Sequence, residues 1–218
     1  MTSSSQLAID HWNKTPLFIS EEERYGIYPW LQEAAEFKHH NGEKVLEIGC
    51  GTGCDLLQFA KHGARAVGID ITPEHLRLAR ERVGSLAAVG QAEATSLPFA
   101  DGSFDYVYSH GVLHHIDRPR LVVDEIFRVL RPGGRFNIQV YALFSYFTLL
   151  RILQHGRDWK LWIENSQDPV HIDFYTAKTL RSLFAPATLN IRKFHCRPVP
   201  AIAPFAGFFL AATGRKPE

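Results

Sequence analysis

The sequence has few of the features that mark secreted, membrane-spanning or nucleic-acid-binding proteins. It holds three cysteines, an odd and small number, and no positively charged, apolar leader at its start. Its 24 lysine and arginine residues balance 23 acidic residues, so no excess charge attracts nucleic acid or an anionic membrane. The apolar stretch 199–213 is short and contains Pro200 and Pro204, so no membrane span is expected. These absences favour a cytoplasmic protein that acts on a small molecule.

The chain has enough apolar residues for one substantial core, with 45% hydrophobic content over 218 residues. Strand and helix patterns alternate from residue 44 onward, which predicts a parallel sheet with right-handed crossovers. We predict strands at 44–48, 65–69, 86–90, 104–108, 135–140, 189–196 and 207–213, with helices near 54–62, 73–83, 119–130 and 176–184. The expected fold class is therefore α/β, with a doubly wound, seven-stranded, mostly parallel sheet in a single domain over 1–218.

Two segments lie outside this alternation. Residues 6–37 are aromatic and are interrupted by Pro16 and Pro29, which predicts an N-terminal cap of short helices. The cap cannot bury its aromatic side chains alone, so we expect it to fold over the body as a mobile lid. Residues 141–175 form an aromatic insertion after the fifth strand, on the predicted substrate side. The remaining parts are a core over 38–140 and a C-terminal helix with strands over 176–218.

A glycine-rich turn follows the first predicted strand. The strand leads into Glu47 and three alternating glycines, Gly49, Gly51 and Gly53. Such a backbone turns tightly and lets a ligand lie directly against it. Whether counting starts at Gly49 or at Gly51, the third glycine of the dinucleotide-binding motif Gly-x-Gly-x-x-Gly is missing. No Gly-Lys-Ser/Thr follows either, so both a dinucleotide-binding loop and a Walker phosphate loop are excluded. The acid before the glycines suits a ligand with a cationic amino acid end.

Further motifs follow in order along the chain. They lie at 67–70, 91–93, 97–99, 104–109, 113–115 and 129–134. Together with the acid-x-Gly-x-Gly-x-Gly motif they span roughly 44 to 140. The sequence resembles class I S-adenosylmethionine-dependent methyltransferases of the small-molecule type, similar to quinone-biosynthesis and natural-product enzymes. The resemblance implies a Rossmann-like fold, S-adenosyl-L-methionine as cofactor and S-adenosyl-L-homocysteine as product.

The resemblance also implies which residues bind the cofactor. The glycine loop would face the methionine part, Asp70 would accept both ribose hydroxyls, and Ala92 and Glu93 would border the adenine. Gln91 departs from the family, many members of which have an acid there. The implied cofactor-binding residues are Glu47, Gly49, Cys50, Gly51, Gly53, Asp70, Ile71, Ala92, Glu93 and Ser109.

Two of these carboxylates also have plainer interpretations. Asp70 could cap the helix that follows, although Thr72, directly before Pro73, is better placed to do so. Glu47 could be a strand-end acid in solvent or paired with Lys44. The position of Glu47 immediately before the glycines favours cofactor positioning.

Methyl transfer from a sulfonium requires an aligned acceptor and, for an alcohol or phenol, removal of a proton. The candidate catalytic residues are His110, His115, His171 and Tyr141. His110 follows the fourth strand and is expected to project toward the transferred methyl, although a packing or positioning role stays open. His115 matches a family histidine for which a structural hydrogen bond is an equal alternative. The spacing of His110, His114 and His115 lacks the glutamate of His-Glu-x-x-His, so no metal site is expected.

The acceptor side of the predicted site is aromatic. Tyr25, Tyr28 and Tyr146 are candidate substrate-binding residues, with packing of cap against body as the alternative. Residues 109–112 lack the Asn/Asp-Pro-Pro-aromatic box, which disfavours methylation of DNA and of glutamine. We therefore expect methylation of a small-molecule acceptor, with O-methylation slightly favoured. A non-catalytic cofactor-binding protein and a cofactor-dependent cyclase on the same fold stay open as alternatives.

Overall fold

The computed structural model describes residues 3–14, 20–163, 171–196 and 199–217. Its centre is a seven-stranded sheet in the order β3-β2-β1-β4-β5-β7-β6. The strands are β1 Lys44–Ile48, β2 Arg65–Asp70, β3 Ala88–Gln91, β4 Phe104–His110, β5 Leu130–Tyr141, β6 Leu189–Phe194 and β7 Phe209–Arg215. Strands β1 to β5 pair in parallel, and β7 runs antiparallel to both β5 and β6. The predicted Rossmann-like, mostly parallel fold is therefore confirmed.

Helices cover both faces of this sheet, so its central strands β1 and β4 are almost continuously buried. The helices are α1 Ser3–Lys14, α2 Glu21–Ile27, α3 Leu31–Ala35, α4 Cys54–Lys61, α5 Pro73–Val83, α6 Pro119–Val129, α7 Tyr146–His155, α8 Ala177–Leu183 and α9 Ala203–Ala206. One buried cluster unites α6 and α8 with the sheet through Ile126, Leu180 and Ile138. A second cluster unites α3 and α4 with the opposite face through Leu31 and Leu56.

The start of α5 differs in one detail from its prediction. Pro73 occupies the first turn as predicted, but the Thr72 side chain makes no capping hydrogen bond. Its Oγ1 is buried and has no hydrogen-bond partner among the described residues. The Thr72 backbone N–H instead donates to Asp70 Oδ1 at 2.9 Å. The expectation that Thr72 would cap α5 with its side chain was therefore wrong: Thr72 stands at the N-cap position, but its backbone N–H is bound by Asp70 and its hydroxyl accepts no N–H of the first turn.

The N-terminal segment forms short helices, but they differ in how firmly they join the body. Leu31 and Ala35 of α3 are fully buried in the core. Pro16 and Phe18 lie outside the described residues. In the insertion, α7 is followed by a 3₁₀ helix over Gly156–Trp162, and residues 164–170 lie outside the described part. None of the described helices combines the length and the hydrophobicity needed to cross a membrane.

Candidate active site

A cavity of about 710 Å³ opens at the carboxyl ends of the central strands. In an open parallel sheet this edge is where ligands bind, because loops diverge there and leave a crevice. The ends of β1, β2 and β4 form its floor, while Trp12 of α1 and Arg24 of α2 lie on its walls. The cap therefore contributes side chains to the cavity.

The glycine loop is held against β2 by its backbone. The N–H groups of Gly49 and Cys50 donate to the Ile69 carbonyl oxygen at 2.8 and 2.9 Å. All three glycines have positive φ angles. A Cβ atom on Gly49 would collide with Val112, whereas one on Gly51 would meet nothing within 4 Å. The loop thus leaves its Gly51 backbone open to a ligand.

Gly53, the third glycine of the motif, serves helix packing. It precedes α4, and a Cβ atom there would lie 3.2 Å from the backbone of Ala79 in α5. Gly53 is not among the residues that line the cavity. Gly53 therefore allows α4 and α5 to approach closely, and its predicted contact with the cofactor stays a prediction.

Asp70 lies at the end of β2 and faces the glycine loop. Its Oδ2 accepts the Gly51 N–H at 2.9 Å, and His75 Nδ1 lies 3.7 Å from Oδ1. Burial alone would raise the pKa of Asp70, but the nearby His75 imidazole and the backbone N–H donors of Thr72 and Gly51 outweigh it and lower the pKa. The carboxylate is therefore ionised and, since each oxygen can accept more than one hydrogen bond, it can accept hydroxyl donors from a ligand.

Glu47 is buried at the end of β1, with 3% of its surface exposed. Its Oε2 has no hydrogen-bond partner within the described part of the chain. Burial raises the pKa of Glu47 well above its ordinary value, and the nearby Asp55 and Asp70 carboxylates raise it further. Both plain interpretations, a solvent-exposed acid and a partner of Lys44, are wrong. A buried carboxylate of this kind requires a cation to ionise fully.

A buried ion pair joins the cap to the body and was missed by the sequence analysis. Arg24 Nε and Nη2 donate to the two carboxylate oxygens of Asp55, each at 2.7 Å. The hydroxyls of Tyr25 and Tyr108 donate to the same carboxylate at 3.0 and 3.1 Å. Burial would raise the pKa of Asp55, but Arg24 outweighs it and holds the pKa below its usual range. No motif marks Arg24, although a buried acid in the first turn of α4 is a signal that a partner must exist.

His110 ends β4 and lines the cavity as predicted. Its Nδ1 lies 2.8 Å from Gln139 Oε1, and its ring stacks on Phe209 with 4.8 Å between the ring centres. Burial, followed by the charge of Arg24, lowers the pKa of His110 to about 4. The imidazole is therefore neutral at neutral pH.

Other predicted residues join His110 at the cavity. Tyr28, Tyr141 and His115 all line it. His115 Nδ1 lies 3.0 Å from the His171 carbonyl oxygen, so His115 makes the structural hydrogen bond that was its alternative role. Of the predicted cofactor residues, the cavity is lined by Glu47, Gly49, Cys50, Gly51, Asp70, Ile71, Ala92 and Glu93.

Four further predicted residues lie elsewhere. The Tyr25 hydroxyl is held by Asp55, and Ser109 Oγ donates to the Ile48 carbonyl oxygen at 2.9 Å within the sheet. Tyr146 lies at the exposed start of α7, and His171 Nε2 lies 3.0 Å from Asp173 Oδ2 at the surface. None of these four lines the cavity. The part of the chain that the structure describes also contains no cluster of three or more histidine, cysteine or acidic residues suited to a metal ion.

Comparisons with known proteins agree with this geometry. The sequence profile of a methyltransferase domain family matches residues 46–138. The chain is 41% identical over 103 residues to the O-methyltransferase resE of Aspergillus sclerotiorum, covering 44% of this chain and 39% of that protein. It is 39% identical over 99 residues to a demethylmenaquinone methyltransferase of Clavibacter sepedonicus, covering 44% of this chain and 40% of that protein.

The fold is also found among solved structures. A SAM-dependent methyltransferase of Methanosarcina mazei superposes with a TM-score of 0.64 at 22% identity, covering 84% of this chain and 96% of that one. The matches to the two curated relatives span about two fifths of their length. The predicted resemblance is confirmed over residues 46–138, which match the methyltransferase domain family.

Proposed function

We propose that this protein uses S-adenosyl-L-methionine to methylate a small-molecule acceptor, with an oxygen atom as the favoured acceptor. One observation carries the proposal. Two buried carboxylates, Glu47 and Asp70, flank an open glycine loop on one cavity. An ammonium group and a ribose diol on the same ligand match these two acids. A phosphate-bearing ligand does not, because the ionised Asp70 carboxylate would repel it and the buried Glu47 would gain no cation.

The residues of the cavity fit the cofactor part by part. Glu47, whose Oε2 lacks a protein partner among the described residues, would hold the amino group. Arg24 binds Asp55 through Nε and Nη2. Its Nη1 donates to no acceptor among the described residues and would hold the carboxylate of the cofactor's amino acid end. Asp70 would accept the ribose hydroxyls. Ala92 and Glu93, with a buried unpartnered Oε1 on Glu93, would border the adenine. When bound, the cofactor supplies an electrophilic methyl group on a positively charged sulfur.

The acceptor would lie on the remaining wall of the cavity. Tyr28, Tyr141 and Phe209 provide aromatic surface there, and His110 provides a neutral imidazole. Aromatic walls favour an acceptor with an apolar ring or chain. Trp12 of α1, which packs against His115 with 5.4 Å between ring centres, covers this region and would exclude water.

The relatives support an enzyme rather than the alternatives. One is named an O-methyltransferase and another a demethylmenaquinone methyltransferase, which favours transfer to a small molecule over a non-catalytic binding protein or a cyclase. We assign residues 38–140 to cofactor binding, and the cap over 6–37 and the insertion over 141–175 to acceptor binding. The three cysteines form no disulfide within the described structure, which supports a reducing, cytoplasmic location.

Titration calorimetry with S-adenosylhomocysteine tests the cofactor assignment. We expect binding of this product and none of NADH. Asp70→Ala is expected to weaken binding by roughly 1.5–3 kcal/mol, the cost of lost hydrogen bonds to a charged group. Glu81→Ala, an exposed acid on α5, is the matched control and should leave affinity unchanged. Binding of NADH without S-adenosylhomocysteine would refute the proposal. Mass spectrometry then separates methylation from cyclisation, because a cyclised product keeps the mass of its substrate.

A further inference from the structure

Three polar side chains form a chain of contacts from the cap to the cavity. Asn137 and Gln139 are neighbours on one face of β5 and are fully buried. Gln139 is paired in register with His110 on β4. Buried amides in the middle of a sheet are costly unless every donor and acceptor is used.

The direction of these bonds is set by a backbone carbonyl. The Ala34 carbonyl oxygen can only accept, so Asn137 must present Nδ2 to it, at 2.5 Å. Asn137 Oδ1 is then left to accept from Gln139 Nε2, at 3.4 Å. Gln139 consequently presents Oε1 to His110 Nδ1, at 2.8 Å. Because Oε1 can only accept, Nδ1 of His110 must carry the proton.

The second nitrogen of His110 is the one left for a ligand. Its Nε2 makes no hydrogen bond to any described residue, and the ring lines the cavity. We infer that Asn137 and Gln139 are positioning residues that hold His110 in the Nδ1–H tautomer, so that Nε2 is a permanent acceptor for the hydroxyl of an alcohol or phenol substrate. This inference rests on the proposed function and names its substrate class. A carboxylate or thiolate acceptor has no proton to donate to Nε2 and would be disfavoured.

The charges around His110 are compatible with a neutral ring. The groups that influence it are Arg24 on α2, Asp55 on α4, His195 after β6 and His114 in the turn after β4. Glu47 on the adjacent β1 lines the same cavity. Arg24 and His195 oppose protonation of His110, whereas Asp55 favours it, and burial tips the balance toward the neutral form.

The proton step balances with this tautomer. Nε2 takes the hydroxyl proton as the acceptor oxygen bonds to the methyl carbon. The carbon–sulfur bond breaks, and its electron pair stays on sulfur, which loses its positive charge. The imidazolium that forms gives one proton to solvent after the product leaves. Gln139 Oε1 accepts the Nδ1–H throughout and stabilises the transient cation.

Nuclear magnetic resonance of ¹⁵N-histidine-labelled protein, without cofactor, reads the tautomer directly. We expect His110 to show the Nδ1–H pattern, with its signal identified by its loss in His110→Gln. Gln139→Met keeps the side-chain volume but removes the strong acceptor, so the Nε2–H tautomer should become the major form. Gln139→Glu keeps an acceptor and should retain Nδ1–H. His115, whose Nδ1 faces a carbonyl oxygen, is an internal control that should stay Nδ1–H in every variant.

The same variants separate this inference from the proposed function. In Gln139→Met, kcat on a hydroxyl acceptor should fall roughly 10- to 100-fold, part of the usual general-base contribution, with unchanged affinity for S-adenosylhomocysteine. Gln139→Glu should raise the pH at which His110 titrates. An Nε2–H tautomer in the wild-type protein, or unchanged kcat in Gln139→Met, would overturn the inference even if the cofactor binds. Failure of cofactor binding with an intact Nδ1–H tautomer would instead refute the proposed function.

Discussion

Replacing Asp55 with alanine tests how firmly the cap is attached to the body. Asp55 is 1% exposed and accepts four hydrogen bonds, two from Arg24 and one each from Tyr25 and Tyr108. The variant leaves a guanidinium and two hydroxyls without their acceptor in a buried site. We therefore expect a large loss of stability that arises from unpaired polar groups rather than from lost apolar contact.

The size of the loss follows from the geometry. Four hydrogen bonds to a charged group, each contributing about 1.5–3 kcal/mol, set an upper limit that is not reached because such terms are not additive. Removing one partner of a buried ion pair costs about 3–5 kcal/mol. For a chain of this size each kcal/mol lowers the melting temperature by about 2–4 °C, so Asp55→Ala should lower it by about 6–20 °C.

Urea and thermal unfolding, followed by circular dichroism, measure this loss. Glu33→Ala is the matched control, because Glu33 also ties the cap to the body, through Arg192 at 2.6 Å, but both side chains are more than half exposed. It should cost no more than about 1 kcal/mol. Equal losses in the two variants would refute the reasoning. Because the pKa of Asp55 is lowered in the folded protein, its contribution to the free energy of unfolding is complete above the ordinary aspartate pKa of 3.8. This contribution is lost as the pH falls through the lowered pKa.

Two further predictions concern the ligand. Binding of S-adenosylhomocysteine should release a proton from Glu47, because the positive charge of the ligand ammonium group would offset the burial and neighbouring carboxylates that raise the pKa of Glu47. Affinity should then rise with pH up to the pKa of Glu47 in the ligand-free protein, and calorimetry in buffers of different ionisation enthalpy should show no proton release in Glu47→Gln. Product binding should also slow hydrogen exchange in residues 6–14 of α1, four of which line the cavity, more than in 20–37, which are already anchored. Equal slowing of both segments, or of neither, would contradict a lid confined to α1.

Much of the fold and of the cofactor site is predictable because the signals are local in sequence. The seven strands carry short apolar runs, and the turn after β1 carries glycines that its positive φ angles require. Asp70 ends a recognisable strand. Its carboxylate accepts the backbone N–H of Gly51, which lies 19 residues earlier in the glycine motif. Where the strand ends meet is then dictated by the parallel sheet.

The missed residues depend on contacts that no local pattern encodes. Arg24 and Asp55 are 31 residues apart, and Asn137 and Ala34 are 103 apart. Tyr25 belongs to an aromatic segment in which the sequence alone cannot distinguish a residue facing the cavity from one facing the core. Its hydroxyl is drawn inward because the buried Asp55 carboxylate requires donors. Tyr28, three residues later, lies on the cavity side instead.

These long-range contacts connect the cap to the side chains of the candidate active site. The Ala34 carbonyl oxygen of α3 begins the hydrogen-bond chain that ends at His110, and Arg24 of α2 both binds Asp55 and lowers the pKa of His110. Displacing α2 and α3 would therefore open the cavity and also remove the two influences that define the tautomer and charge of His110. In α1, by contrast, Trp12 meets the site through ring contacts with His115 and His75. A lid that moves through α1 can admit a ligand while His110 keeps its protonation state, since Arg24, Ala34 and Gln139 lie on α2, α3 and β5 rather than on α1.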